Sequence, residues 1–336
     1  MVVAVMNRIF FYKNSVKRLI VLFCIVGCLF SASALAAPFW EKANIVFNGE
    51  PSGMIRDIVH SSDGLWLGAE NGLFLLSGKN EKKVEFPFPY SGYISDLYLG
   101  QDETLWITVY GEGVYYKRKN EDVKVFNTGK EMETAWKVIQ HGESVIILTV
   151  GKILLMNIHS KEVTSEIHGL SGEAFTEFPH IFDFLGSVYI FEGANFSIIS
   201  EGKRDIVSGL VSEKWPGLSK VLDVSKSGGQ YFVTGPEGVY TSSLSGENSV
   251  FHSINDQFSN VKRVMKLDGE LVVVGDRITI LKDGGFVEAG WTSLLWDKES
   301  VGTLMAADIN HHGDLFLATS ARGLLYVPAF FNAINT

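Results

Sequence analysis

A tryptophan-centred signature recurs along this chain with a period of about 40 residues, and that period limits the fold more than any single residue does. Its first copy runs Ile55-Arg56-Asp57-Ile58, then Asp63-Gly64-Leu65-Trp66-Leu67-Gly68, then Asn71-Gly72-Leu73-Phe74. The second runs Ile94-Ser95-Asp96-Leu97, then Leu105-Trp106-Ile107-Thr108, then Gly111-Glu112-Gly113-Val114-Tyr115. Each copy reads as strand, tight turn, strand, glycine loop, strand. The Trp66 position can be followed through Trp106, Ile146, Tyr189, Phe232, Val272 and Phe316, in steps of 40, 40, 43, 43, 40 and 44 residues. Each occupant sits in a short apolar run of the kind that packs on both faces. A glycine follows within a few residues at Gly72, Gly113, Gly151, Gly238 and Gly323, where a turn between the second and third strands calls for positive φ.

Such units cannot bury their faces alone, and a closed ring of them buries a continuous core without leaving sheet edges. The expectation is an all-β chain, a seven-bladed β-propeller of four-stranded antiparallel blades. The third, fourth and sixth copies are degenerate, so six or eight blades stay open. The last copy shows three strands, ending near Gly323-Leu324-Leu325-Tyr326-Val327. The ring is expected to close through an N-terminal strand around Ile45-Val46-Phe47, with Phe330-Phe331 as the alternative.

Residues 1–36 read as a secretory signal peptide, leaving residues 37–336 as a single propeller domain. Arg8, Lys13, Lys17 and Arg18 precede an apolar run from Leu19 to Phe30, and Ala34-Leu35-Ala36 suits cleavage before Ala37. Ile25-Val26-Gly27-Cys28 offers a lipoprotein box as an alternative, with the lipid on Cys28. Both cysteines, Cys24 and Cys28, lie in this leader, so the exported chain would have no disulfide, thiol nucleophile or cysteine metal site. Losing the leader removes four cations and no acid, moving the formal charge from −9 to −13. That balance argues against nucleic acid or an anionic membrane surface as a partner.

The first copy, Ile55 to Phe74, with Asp63-Gly64-Leu65-Trp66-Leu67-Gly68 followed by Asn71-Gly72-Leu73, resembles the two-component regulator propeller repeat family. The second copy matches with Glu103 in place of a turn glycine, and Gly313-Asp314-Leu315-Phe316-Leu317-Ala318-Thr319 with Gly323-Leu324 carries the last match. The resemblance implies a periplasmic sensor-type propeller. Such propellers commonly serve histidine kinases and diguanylate cyclases, with a membrane helix and an output domain after them. This sequence ends nine residues after Val327, and the expectation is that output lies in another chain.

Aligning the copies places Asp57, Asp96, Lys137, Asp183, Asp223, Arg263 and Ala307 at the starts of the innermost strands, near one mouth of the central channel. One reading is a charged collar facing a polar ligand. The other is local: an aspartate there accepts backbone N–H groups and fixes one blade to the next. Aromatic residues fall in loops of the same face, among them Phe88, Tyr90 and Tyr93, Tyr110, Trp136, Phe178 with His180, Trp215, and Trp291 with Trp296. They suit sugar, peptide or protein recognition, or small cores of their own. The candidate ligand-binding residues are therefore Asp57, Asp96, Tyr110, Trp136, Lys137, His180, Asp183, Asp223 and Arg263.

The segment Asp308-Ile309-Asn310-His311-His312-Gly313-Asp314 is superficially like a calcium loop, but His312 and Thr319 stand where oxygen ligands belong. No nucleophile elbow, phosphate loop or zinc-protease motif occurs, so no catalytic residue, metal or cofactor is expected. The expected function is a non-enzymatic periplasmic binding module in envelope signalling, with an envelope protein or a small polar ligand as partner. Membrane contact would come only through that partner or the Cys28 lipid. The alternatives are a scaffold in envelope or exopolysaccharide assembly, or a polysaccharide lyase or hydrolase.

Overall fold

Seven four-stranded antiparallel sheets follow one another along the chain and form a ring. The computed structural model describes residues 40–330 apart from 43–45, 48–49, 78–79, 85, 87–90, 169–178, 201–205, 246–247, 255–256, 268, 290–301, 311, 322 and 328–329. The leader, Cys24 and Cys28 therefore lie outside the described residues, as do Phe88, Tyr90, Phe178, Trp291, Trp296, His311 and Phe331. Among the described residues no helix is long and apolar enough to cross a membrane.

The innermost strands of blades 1 to 7 are Ile55–Ser61, Tyr93–Leu99, Ala135–His141, His180–Phe184, Asp223–Ser227, Arg263–Leu267 and Leu304–Ile309. Every second strand holds one residue of the Trp66 series, because that strand lies between two others and has both faces covered. These side chains join the blades. Trp66 packs with Leu97, Leu105 and Ile107 of blade 2, and Trp106 with Val138, Val145 and Ile147 of blade 3. Ile146 meets Ile181 and Val188 of blade 4, and Phe232 meets Val264 and Val273 of blade 6. Both tryptophans are at most 2% exposed, and their indole N–H groups donate to Ser61 Oγ at 2.9 Å and Gln140 Oε1 at 2.8 Å. A buried indole with its N–H satisfied brings apolar area without a desolvation penalty.

The five expected turn glycines all have positive φ, from 72° at Gly323 to 156° at Gly238. A Cβ on Gly113 or Gly238 would also run into the carbonyl of Asn127 or His252 on the neighbouring outer strand. Backbone conformation and close approach together restrict those two positions to glycine.

The ring closes through an N-terminal strand, as expected, but through other residues than the Ile45-Val46-Phe47 run. The last blade takes its fourth strand from Trp40–Lys42, with Trp40 opposite Tyr326 and Lys42 opposite Leu324. Val46–Phe47 instead forms a short hairpin with Glu50–Pro51. The apolar triplet drew the assignment, but closure depends on backbone pairing, which leaves residue type freer on an outer strand. Phe330 packs as a buried plug, its N–H donating to the Gly313 carbonyl at 2.9 Å.

Candidate functional site

The ladder between the first two strands of each blade sets the height of every collar residue. Asp57 lies opposite Gly68, Asp96 opposite Thr108, Lys137 opposite Leu148, Asp223 opposite Thr234 and Arg263 opposite Val274. Each partner is two residues beyond the Trp66 position, so these five residues share one layer. In blade 4 that place belongs to His180, opposite Phe191, and in blade 7 to Ala306, opposite Ala318. Asp183 is opposite Val188 and lies three residues further along its strand, about 10 Å away. The structure thus separates Asp183 from the collar, where its Oδ2 is 3.5 Å from His141 Nδ1. Its charge, and not its spacing, had drawn it into the series. Ala307 gives way to Ala306 because the hairpin is one residue longer: seven residues separate Asp308 from its partner Phe316, where six separate Val59 from Trp66. A bulge precedes the layer at Met305 in blade 7, and at Arg56, Ser95 and Trp136 in blades 1, 2 and 3.

Several collar carboxylates are occupied by the neighbouring blade. Asp57 Oδ2 accepts the Leu97 N–H of blade 2 at 2.7 Å, and its Oδ1 accepts its own neighbour Ile58 N–H at 2.9 Å. Asp96 Oδ2 accepts the Val138 N–H of blade 3 at 3.1 Å, while its Oδ1 lies 3.6 Å from Lys137 Nζ. Across the closing seam, Asp308 Oδ2 accepts the His60 N–H at 2.7 Å and lies 3.2 Å from His60 Nδ1, and its Oδ1 is 3.4 Å from Arg263. The Ser225 hydroxyl donates to Asp223 and accepts the Val264 N–H of blade 6 at 3.0 Å. The local reading of the aspartates therefore holds for Asp57 and Asp96.

The side chains converge on the central space. Burial alone would depress the Lys137 ammonium, yet Asp96, Asp57 and Asp223, from blades 2, 1 and 5, together hold its pKa above the ordinary lysine value. Burial pushes Asp57 up to about 7, helped by Asp96 and opposed by the Leu97 N–H and Lys137. It also raises Asp96 and Asp223, with Lys137 and the Ser225 hydroxyl respectively as the main opposition. Asp308 behaves oppositely: burial raises it, but the His60 hydrogen bond and Arg263 outweigh that and hold it below the usual carboxylate range. His180 faces solvent but is enclosed enough that desolvation, aided by Lys137, Lys262 and Lys220, lowers it to about 4. Lys262, one residue before Arg263, is lowered by desolvation despite the nearby Asp57.

The aromatic candidates mostly serve packing. Tyr93 and Tyr110 stack at 5.4 Å, and Arg56, paired with Glu70 at 3.1 Å, lies 4.1 Å over the Tyr93 ring. This stack joins blades 1 and 2. Trp136 is half-buried against the cluster between blades 3 and 4. Trp215 is buried among Phe184, Tyr189, Phe191 and Phe196, so it belongs to a core. In the Asp308 to Asp314 turn, Asn310 Oδ1 accepts the N–H groups of His312 and Asp314, and Asn310 Nδ2 donates to Asp314 Oδ2 at 2.9 Å. Its oxygens thus serve the turn itself, and among the described residues no group of His, Cys, Asp and Glu could hold a metal ion.

Sequence reasoning missed Lys262, His60 and the joining role of Ser225 and Asp308. Ser225 and Asp308 lie directly opposite Phe232 and Phe316, so counting back from the Trp66 position would have found both.

No family model matches the chain, and no curated protein matches it by sequence. Among solved structures it is similar to the extracellular domain of a putative one component system from B. thetaiotaomicron, with TM-score 0.65 and 16% identity over 88% of this chain and 43% of that one. It is also similar to streptogramin B lyase, with TM-score 0.64 and 10% identity over 87% and 98% of the two chains. A third likeness is to PorZ, a surface component of the type-IX secretion system of Porphyromonas gingivalis, at TM-score 0.54 and 11% identity over 87% and 38%. The chain thus spans under half the length of two of these structures. At such identities the likeness concerns the propeller fold.

Proposed function

We propose that this propeller is a periplasmic, non-catalytic binding module that takes a small polar ligand or an envelope partner at one mouth of its channel. The observation that carries this reading is the shared layer: six of seven inner strands place an ionisable side chain at one height around a common space. A rigid ring presenting groups from many blades makes a composite site without catalytic machinery. The leader expected from the sequence, the two-component propeller resemblance and the fold shared with the extracellular domain of a putative one component system favour a sensing role, with output in another chain.

Thermal-shift screening of the purified protein against polar metabolites and oligosaccharides tests this, with a variant combining Lys137→Met and His180→Gln as control. The expected result is a compound that raises the melting temperature of the wild type and leaves the variant unmoved. If no compound stabilises the protein and affinity capture from the envelope recovers no specific partner, the reading is wrong.

A further inference from the structure

The collar has an imbalance between acids and cations. Asp57 spends both oxygens on backbone N–H groups, and Asp96 serves Val138 and Lys137. Asp223 is engaged by the Ser225 hydroxyl. Arg263 is taken by Asp308. Among the described residues, however, the Lys262 ammonium and the His180 ring have no hydrogen-bond or ion-pair partner, and the His180 ring stacks beside Phe182 with centroids 6.2 Å apart. His180 heads its inner strand and Lys262 immediately precedes another, so both lie at the same end of the channel. Three lysines, Lys137, Lys220 and Lys262, act on His180 together, and Asp57, Asp223 and Asp276 act on Lys262 from a distance without an ion pair to its ammonium. An unpaired, partly desolvated ammonium is costly unless a counter-charge arrives.

We propose that the channel mouth receives a carboxylate, held between the Lys262 ammonium and the His180 imidazole on the side of blades 4 to 6. This rests on the channel-mouth reading above and names the ligand chemistry. A neutral imidazole donates one N–H and the ammonium supplies one positive charge, which together match a singly charged planar acceptor. A phosphate dianion would bring a second charge towards Asp57 and Asp223, whose ionised forms are already disfavoured by burial. The carboxylate could be that of a sugar acid or of a peptide C-terminus, and the two differ in what is attached to it.

The test follows the His180 ring resonances by NMR, assigned by their loss in His180→Gln, during titration with matched pairs. D-galacturonate is paired with D-galactose, N-acetylglycine is paired with N-acetylglycinamide, and inorganic phosphate is a third arm. The expected result is that at least one acid shifts His180 and raises its pKa while its neutral partner does not, and the responding acid identifies the source. Lys262→Met should weaken that acid about tenfold, the loss expected for one charge-assisted contact, with an unchanged unfolding midpoint as the fold control. A neutral compound acting as strongly as its acid overturns the carboxylate inference and leaves the channel-mouth reading standing. A response to phosphate alone, no response to any probe, or full binding by Lys262→Met overturns it as well. The channel-mouth reading is judged separately by the thermal-shift screen.

Discussion

Blades 7, 1, 2 and 3 meet in a different way from blades 4, 5 and 6, although all are four-stranded sheets of the same repeat. In the first arc a bulge precedes the collar layer of every blade, and an aspartate on each of three inner strands accepts a backbone N–H of the next blade. In the second arc the corresponding ladders run without a bulge. There the collar layer holds His180, Asp223 and Arg263, and Ser225 makes the join to Val264. A bulge re-aims the side chain that follows it and adds twist. The lesson is that one layer of charged residues serves two purposes. On one side of the ring the acids join blades, and on the other the Lys262 ammonium and the His180 ring are left for something else.

Removing the closing clasp should have the largest effect. Asp308→Ala strips the His60 N–H, the Ile309 N–H and Arg263 of a buried acceptor, and should cost about 3 kcal/mol in urea unfolding. A loss under a third of that would mean that strand Trp40–Lys42 closes the ring unaided. Next comes Asp57→Ala, which leaves the Leu97 and Ile58 N–H groups without their acceptor and should cost about 2 kcal/mol.

The two aspartates should also differ in the sign of their pH dependence. The folded-state pKa of Asp57 is raised from 3.8 to about 7, so its contribution is full below the unfolded value and is lost as pH rises through 7. Asp308 is lowered, so its contribution is present above the unfolded value and is lost as pH falls through the folded one. Stability curves should therefore flatten between about pH 4 and 7 in Asp57→Asn, and only below about pH 4 in Asp308→Asn. Identical curves would deny the two residues separate roles. The smallest effect belongs to the other arc: Lys262→Met should leave stability within about 0.5 kcal/mol of wild type, or raise it, because it removes a cation whose desolvation outweighs the pull of Asp57, Asp223 and Asp276.

The fold was legible because the Trp66 series is a packing requirement. Any large apolar residue satisfies it, so Ile146 and Val272 could be followed where the motif itself had faded. The turn glycines were legible because positive φ excludes most alternatives. The collar was legible only where spacing and charge agreed, as at Asp57, Asp96, Lys137, Asp223 and Arg263. At blade 4 they disagreed, and the register favours His180 over Asp183. The bulges were not legible, since an extra residue such as Ser95 or Met305 has no composition of its own. Closure by Trp40–Lys42 rests on backbone hydrogen bonds, which the side-chain pattern does not encode.

The most direct test of the division between joining acids and waiting cations is a pair of urea-unfolding midpoints at about pH 5, below the raised folded-state pKa of Asp57, for Asp57→Ala and Lys262→Met. The account predicts a clear fall for Asp57→Ala and an unchanged or higher midpoint for Lys262→Met. A stable Asp57→Ala beside a destabilised Lys262→Met would contradict it, placing the structural burden on the cation and leaving the acid for the ligand.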